Sequence, residues 1–436
     1  LEEVQPVVFI GPYEHHSNEI SWRQCLATTI EVRMDATGNI DLAHLEELLT
    51  DPRYRNRQRI GSFSAASNVT GIRSDVRRIA SLLHKHGAMA CFDFAACAPY
   101  VDIDMNPQPA SEGEDPSIDA IFISPHKFLG GPGSSGVLVF NERIYNRELP
   151  PSMSAGGTVD YVGMQGQDFI RRIEEREKAG TPGVLQTLKA GLVFQIKDRV
   201  GVDVINAREH ELTDRAMKSW AGNENIEVLG NPDPGSRVGI ISFNIKDGAG
   251  KYLHHKFITV LLNDLFGIQS RAGCSCAGPY GHRLLNIDEA TSERYRSAVQ
   301  HGHCGLKPGW CRVGLHWVMD DAEANYIIDA VHFLANEGGQ FLSLYDFDLA
   351  TGTWKHKYAS SELRSFSLDD ALNNEEGEPA ILSLALRCQL YKHYMTEAKR
   401  IAESLRVEPP VECCSLEGEF EDLRFFKLPA DDRQQH

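Results

Sequence analysis

The chain reads as an α/β protein whose first half builds a large domain around a mostly parallel sheet flanked by helices. Two observations predict this. Short apolar stretches rich in β-branched residues alternate with helix-like stretches from the start of the chain to about residue 140. The segments between them are long enough for the right-handed crossovers that parallel strands need.

Val7 to Ile10 is a strand, followed by GPYEHHSN; Ser17 can cap a helix that runs to about Leu26. The polar segment EVRMDATGNI leads into a helix over Asp41 to Leu49. Ile60 to Phe63 is the next strand, followed by SAASNVTGI, and Ser74 with Asp75 opens a helix that runs to about His86. Ala88 to Phe92 is a third strand, ending at Asp93. In Ile118 to Phe140 two further strands, Ile118 to Ile123 and Gly136 to Phe140, flank a glycine-rich loop with Lys127 just after His126. An amine held largely out of water there would have a lowered pKa and could attack an aldehyde. Taken alone, the window fits a solvated loop lysine better.

Composition narrows the function classes. The chain has 436 residues, which predicts two or three domains, and a net charge of −17, which argues against nucleic-acid and polybasic membrane binding. No stretch approaches a transmembrane run. The ten cysteines are scattered, which suggests a reducing compartment, hence the cytoplasm. The chain begins at Leu1 and enters a strand almost at once, so the expectation is a missing N-terminus. A targeting peptide would be lost with it, so an organellar location stays open.

In parallel sheets ligands bind beyond the carboxyl ends of the strands. Just past those ends lie His15 and His16, then Ser67 and Asn68, then Asp93, then Ser124, His126 and Lys127. An imidazole can stack on a flat ring, an amide can donate to a phenolate oxygen, and a carboxylate can hold a proton on a ring nitrogen. With a lysine for an aldehyde, the set fits pyridoxal 5′-phosphate. Each residue alone is better explained as turn or cap chemistry; their joint placement carries the argument.

With EHHSN, SNVTG, FDFAA and SPHK in this order, followed by AGTP, GIISFNI, RAGCSCAGP and CRVGLHW, the chain resembles the class V aminotransferases. These are fold-type I pyridoxal-phosphate enzymes that include cysteine desulfurases and selenocysteine lyases. The resemblance spans about residues 1–338. It implies a large domain at 1–195, a smaller α+β domain at 196–338 and an appended extension at 339–436. It also implies that His15 stacks on the cofactor, Asn68 faces its ring oxygen and Asp93 its ring nitrogen. Ser124 and His126 would hold the phosphate, Lys127 would attach the cofactor, and Thr181 would reach the phosphate in a neighbouring subunit, which implies a homodimer. Arg312 would bind the substrate carboxylate, with Arg271 beside it in the same substrate region.

Two departures stand out. The family usually has a glutamine three residues after the strand-end aspartate, where this chain has Ala96. The family's phosphate-cradling loop should precede the first strand and is absent, which fits a missing segment on the order of a hundred residues.

Cys276 aligns with the nucleophile of the desulfurases, and Cys274 lies two residues before it. The implied reaction removes sulfur or selenium from cysteine or selenocysteine, leaving alanine and an enzyme persulfide that a sulfur-acceptor protein could discharge. Three other readings stay open: an aminotransferase or carbon-centred lyase that does not use the thiol, a silent scaffold, and a structural Cys/His zinc site around Cys274, Cys276, His282, His301, His303, Cys304 and Cys311. Irregular spacing and the lack of a paired CxxC leave no metal site assigned.

Beyond these motifs, a helical stretch starts near Gly183, a helix covers Asn206 to Trp220, Gly239 to Asn244 is a strand and His255 to Leu265 is amphipathic. Asn286 to Pro308 is long enough to shape or cover a pocket. In the extension, Phe341 to His356 reads as a hairpin turning at Ala350 to Gly352, Asp369 to Glu378 as an acidic linker, Pro379 to Leu405 as a helix, and FEDLRFFKLP as an edge strand.

Overall fold

Parallel pairing organises the first part of the chain. In the computed structural model, which describes residues 4–247, 250–359, 372, 382–406 and 418–428, the first elements are β1 (Val7–Ile10), α1 (His16–Gln24), β2 (Thr28–Glu31), α2 (Leu42–Thr50), β3 (Arg59–Ser64), α3 (Val76–Lys85), β4 (Met89–Asp93), β5 (Ala120–Ile123) and β6 (Val137–Phe140). They form one sheet in the order β2-β1-β3-β4-β5-β6. All neighbours are parallel except β6, which runs antiparallel to β5. β1 is buried along its whole length, as a strand covered on both faces must be. β2 was not anticipated: it lies at the edge, only half-buried, and its TTIE sequence carries little of the apolar signal that marks the central strands.

The helices follow from their caps and apolar faces. Asp41 and Asp75 accept backbone N–H bonds from His44 and Arg78 and start α2 and α3. α3 turns Ile79, Ala80 and Leu83 inward. A hairpin, β7 (Val159–Val162) with β8 (Gln167–Phe169), follows the sheet, then α4 (Ile173–Arg176) and α5 (Val184–Val200). The chain separates into two compact units, Leu1–Arg208 and Glu209–His436, with the boundary inside α6 (Val202–Trp220).

The second unit is α+β. Its strands β9 (Ile226–Val228), β10 (Ile240–Ile245), β11 (Arg271–Gly273) and β12 (Trp310–Gly314) form an antiparallel sheet in the order β11-β12-β10-β9. Helices α7 (His255–Phe266), α8 (Gly278–Leu284), α9 (Glu289–Gln300) and α10 (Asp321–Glu337) complete the framework. α7 and α10 contribute a large share of its apolar core, including Phe257, Leu261, Phe266, Ile327, Val331 and Leu334.

The extension joins this core. β13 (Tyr345–Asp348) and β14 (Thr353–His356) form the expected hairpin, and α11 (Leu384–Leu405) stacks Tyr391 on Tyr326 of α10 with ring centroids 4.2 Å apart. The acidic linker lies, except for Leu372, outside the described residues. The expected edge strand in FEDLRFFKLP is not a strand: Gly418–Leu423 is a 3₁₀ turn, and Phe426 makes a single bridge to Tyr252. Its paired aromatics instead pack around His254, where alternation would have required one face in water. The segment between Asn286 and Pro308 forms α9, and Tyr295 of that helix donates its hydroxyl to Leu423 O at 3.0 Å.

His254 locks the hairpin onto the unit. Its Nδ1 accepts from Trp354 Nε1 at 3.1 Å and from the Lys256 N–H at 3.2 Å, so its Nε2 carries the proton and donates to Gly305 O at 3.1 Å. Burial pushes both His254 and His255 well below the ordinary imidazole range, His255 to about 3. Between that value and the ordinary 6.5 the unfolded chain binds more protons than the folded one. Stability is therefore complete above about 6.5 and falls as pH drops, by up to roughly 1.4 kcal/mol per pH unit for each histidine. Tryptophan-monitored denaturation should show this acid loss, and His255→Gln should flatten part of the slope; identical slopes in the two proteins would refute the assignment.

Candidate active site

The strand order places a topological switch beside β1: the chain steps from β1 to β2 on one side, then to β3 on the other. Carboxyl ends diverge there and leave a crevice. A cavity of about 560 Å³ opens at this edge. It is lined by His15 after β1, Ser64 and Asn68 at and after β3, Asp93 at the end of β4, and Ser124, His126 and Lys127 after β5.

Each residue is set by local backbone bonding. His15 is the N-cap of α1, its Nδ1 accepting from the Ser17 N–H at 3.1 Å. Ser67 is fully buried, and its hydroxyl accepts from the N–H groups of Val69 and Thr70, which fixes the turn that presents Asn68. Asp93 Oδ1 accepts from the Ala95 N–H at 2.8 Å. Pro125–Lys127 is a 3₁₀ turn in which the Lys127 N–H donates to Ser124 O at 3.0 Å. Phe128 then turns inward onto Phe194 of α5, with ring centroids 4.9 Å apart. Gly131 closes the loop so tightly that a Cβ there would lie 2.0 Å from Pro125 O.

Lys127 departs from the sequence expectation. It is exposed in this chain rather than held out of water, because the loop that carries it lies at the open rim of the sheet edge. The amine is therefore placed by backbone geometry and accessible to a reagent entering the cavity. Ala96 lines the same cavity where the family's glutamine was expected. Thr181 is not part of this lining; it is exposed, just ahead of α5.

The remaining predicted residues lie in the second unit. Arg271 and Arg312 are direct partners across β11 and β12, both on the sheet that carries the RAGCSC turn. Arg271 Nη2 lies 3.6 Å from Cys276 Sγ. Ser275 and Cys276 both have left-handed backbone, φ 51° and 59°. Two consecutive non-glycine residues in that region cost on the order of 1–3 kcal/mol each and mark a turn whose geometry is held by its surroundings. Ala277 donates back to Cys274 O at 3.1 Å, and Pro279 starts α8. Ser64 and Leu138 were missed as lining residues. Ser64 was within reach of the same strand-end argument; Leu138 belongs to antiparallel β6, whose start shares the edge only through its pairing with β5.

The sequence profile described as Aminotransferase class-V matches residues 5–326. The chain belongs to the class-V aminotransferase family. Named relatives of this class-V chain are probable cysteine desulfurases. That of Halalkalibacterium halodurans is 30% identical over 277 residues, 62% of each chain, and that of Streptomyces coelicolor is 28% identical over 62% of this chain and 61% of its own. That of Staphylococcus aureus strain Mu50 is 30% identical over 66% of this chain and 64% of its own. The chain thus spans less than two thirds of the length of these relatives.

Among solved structures, the apo cysteine desulfurase of Thermococcus onnurineus superposes with a TM-score of 0.62 at 22% identity, covering 76% of this chain and 73% of that one. The cysteine desulfurase CsdA of Escherichia coli gives 0.59 at 20% identity, covering 76% and 72%. The fold is that of the fold-type I class-V enzymes.

Thiol chemistry separates the cysteines of this class-V chain. Cys91 and Cys97 are buried, and burial pushes both thiols up to about 12 from an ordinary 9.0. Thiols held that high carry very little thiolate near neutral pH. Cys276 is only half-buried. Alkylation of the native protein near neutral pH should modify Cys276 and spare Cys91 and Cys97 by peptide mass spectrometry; labelling of Cys97 at the rate of Cys276 would contradict the burial.

Proposed function

We propose that the chain is the pyridoxal-phosphate-binding part of a cysteine desulfurase-like enzyme that takes sulfur or selenium from cysteine or selenocysteine and leaves alanine. The observation that carries this reading is the gathering of His15, Asn68, Asp93, Ser124, His126 and Lys127 around one cavity at the sheet edge. The residues present fit the cofactor. The volume of about 560 Å³ suits a group of that size. The lining holds an amine for an aldehyde, a carboxylate for a ring nitrogen, an imidazole for a ring face, and hydroxyl and imidazole groups for a phosphate.

When bound, pyridoxal 5′-phosphate supplies an electron sink for negative charge at the substrate α-carbon. Lys127 would hold the cofactor through Nζ and would move the proton at the substrate α-carbon. Asp93 would keep the ring nitrogen protonated. Ser124 and His126 would hold the phosphate, and His15 and Asn68 would hold the ring. Arg312, with Arg271 as its cross-strand partner, takes the substrate carboxylate through its two-pronged guanidinium. Cys276 Sγ attacks the substrate sulfur; the carbon–sulfur bond breaks, its electron pair stays with carbon and is protonated, and the new sulfur–sulfur bond leaves a persulfide on Cys276. A sulfur-acceptor protein then discharges it. The eight described cysteines are free thiols, which suits a reducing compartment such as the cytoplasm. Among the described residues no helix is long and apolar enough to cross a membrane.

A homodimer belongs to the same reading. α5 leaves Val184, Leu188, Leu192 and Ile196 exposed at every fourth position, with Leu185 beside them, just after Thr181. Such an apolar stripe is costly in water and is covered in a two-fold pair, from which Thr181 would reach the partner's phosphate.

Three outcomes follow. Lys127→Ala should abolish the yellow absorbance of the lysine-bound cofactor and all turnover while the protein stays folded. Cys276→Ser should keep the absorbance and lose sulfide release, because a hydroxyl is too hard and too weakly acidic for attack on sulfur; retained turnover of cysteine would instead assign a carbon-centred lyase or an aminotransferase. Sedimentation of the cofactor-loaded protein should show a dimer, and an active monomer would remove Thr181 from its role.

A further inference from the structure

Glu14 has no part in the chemistry assigned above, yet it is among the most heavily bonded side chains of the first unit. It lies between β1 and α1, next to His15, and is only 4% exposed. Four donors converge on its carboxyl. The N–H groups of Gly11 and Ser64 reach Oε1 at 3.1 and 2.8 Å, and the Ser64 hydroxyl and the Asn18 amide reach Oε2 at 2.7 Å each. Three of these are N–H groups, which a protonated carboxyl cannot answer with its own proton, so the set suits the carboxylate. The approach is close enough that a Cβ on Gly11 would lie 2.5 Å from Oε1.

Opposing this, burial pushes Glu14 up to about 7; the bonds from Asn18 and Ser64 pull it back, and the charge of Asp93 adds to the rise. The coupling to Asp93 has a structural route. Ser64, which holds Glu14 with both its N–H and its hydroxyl, is the register partner of Asp93 across β3 and β4. Asp93 lines the cavity and Glu14 stands behind that lining. The other charged or titratable groups near the turn are His15 and His16 on its own loop, and Glu19 and Arg23 of α1, which pair with each other. β3 presents Ser62 and Ser64, and β4 presents Asp93. The wall thus holds two acidic groups whose mutual repulsion is relieved by a cation on the cavity side.

We infer that Glu14 is a positioning residue: its carboxylate, tied to Ser64 behind Asp93, makes this wall of the cavity select a protonated ring nitrogen over an uncharged ring. The inference rests on the proposed binding of pyridoxal 5′-phosphate and adds to it the source of charge selectivity. Glu14 acts through Asp93 without touching the ring. Because it is shielded from water its charge is weakly screened, and a cation bound at Asp93 in turn favours the ionised form of Glu14.

The test compares wild-type protein with Glu14→Gln, which keeps the shape and removes the charge. Apparent dissociation constants are measured for pyridoxal 5′-phosphate and for its 1-deaza analogue, in which carbon replaces the ring nitrogen and no proton is taken up. Glu14→Gln should weaken pyridoxal 5′-phosphate about tenfold and leave the analogue unchanged. Equal weakening of both ligands would reduce Glu14 to a structural role and overturn the inference alone, as would an unchanged constant for pyridoxal 5′-phosphate. A wild-type protein that binds neither ligand would overturn the proposed function and the inference with it. A second measurement needs no variant. In the wild-type protein the preference for pyridoxal 5′-phosphate over the analogue should grow as pH rises through about 7, since the phosphate and aldehyde are common to both ligands and cancel. A flat ratio would overturn the inference even if Glu14→Gln fails to fold.

Discussion

Parallel pairing of β1, β3, β4 and β5 is the constraint on which the site depends. In a parallel ladder every carboxyl end faces the same edge, so four segments far apart in sequence deliver their next residues to one place. His15, Asn68, Asp93 and Lys127 are separated by at least 25 positions from one to the next, yet line one cavity of about 560 Å³. Where the strand order turns back at β1, the diverging chain ends leave room for a ligand. The loops themselves are held by their own short-range bonds, as in the Ser67 turn and the 3₁₀ turn at Lys127.

The second unit shows a different economy of design. Its antiparallel sheet presents Arg271 and Arg312 as cross-strand neighbours, and a left-handed Ser275–Cys276 turn sets the thiol next to Arg271. The extension is part of this unit's core: Trp354, Phe347 and Phe426 surround a histidine kept neutral by burial, and Tyr391 of α11 stacks on α10. A buried imidazole with both nitrogens bonded ties three separate segments through directional contacts that apolar packing alone would not specify.

Membership of the class-V family and the local geometry support one another without being the same argument. The profile match covers residues 5–326 and the superpositions establish the fold. Neither explains why a glutamate sits fully hydrogen-bonded behind Asp93. That feature comes from the residues themselves: a glycine that leaves room for its carboxylate, and a serine that donates twice.

The alternation of strands and helices was legible in the sequence because central parallel strands are continuously apolar and two of the helices between them, α2 and α3, carry Asp caps. The same reading marked the strand-end residues, because ligands bind beyond the carboxyl ends of parallel strands. β2 escaped it, since an edge strand does not need a fully apolar sequence, and so did the packing of FEDLRFFKLP, whose aromatics fit both a strand and a core turn. Exposure of Lys127 depended on where the loop rim falls, and the pairing of Ser64 with Asp93 on strand register, which periodicity does not encode. Sequence by itself determined which groups exist and on which strand ends they stand, because local patterning and motif order carry that information. Tertiary structure alone decided that Glu14 is buried behind Asp93 and that the extension completes a core, because each rests on contacts between segments whose separation in sequence says nothing of their distance in space.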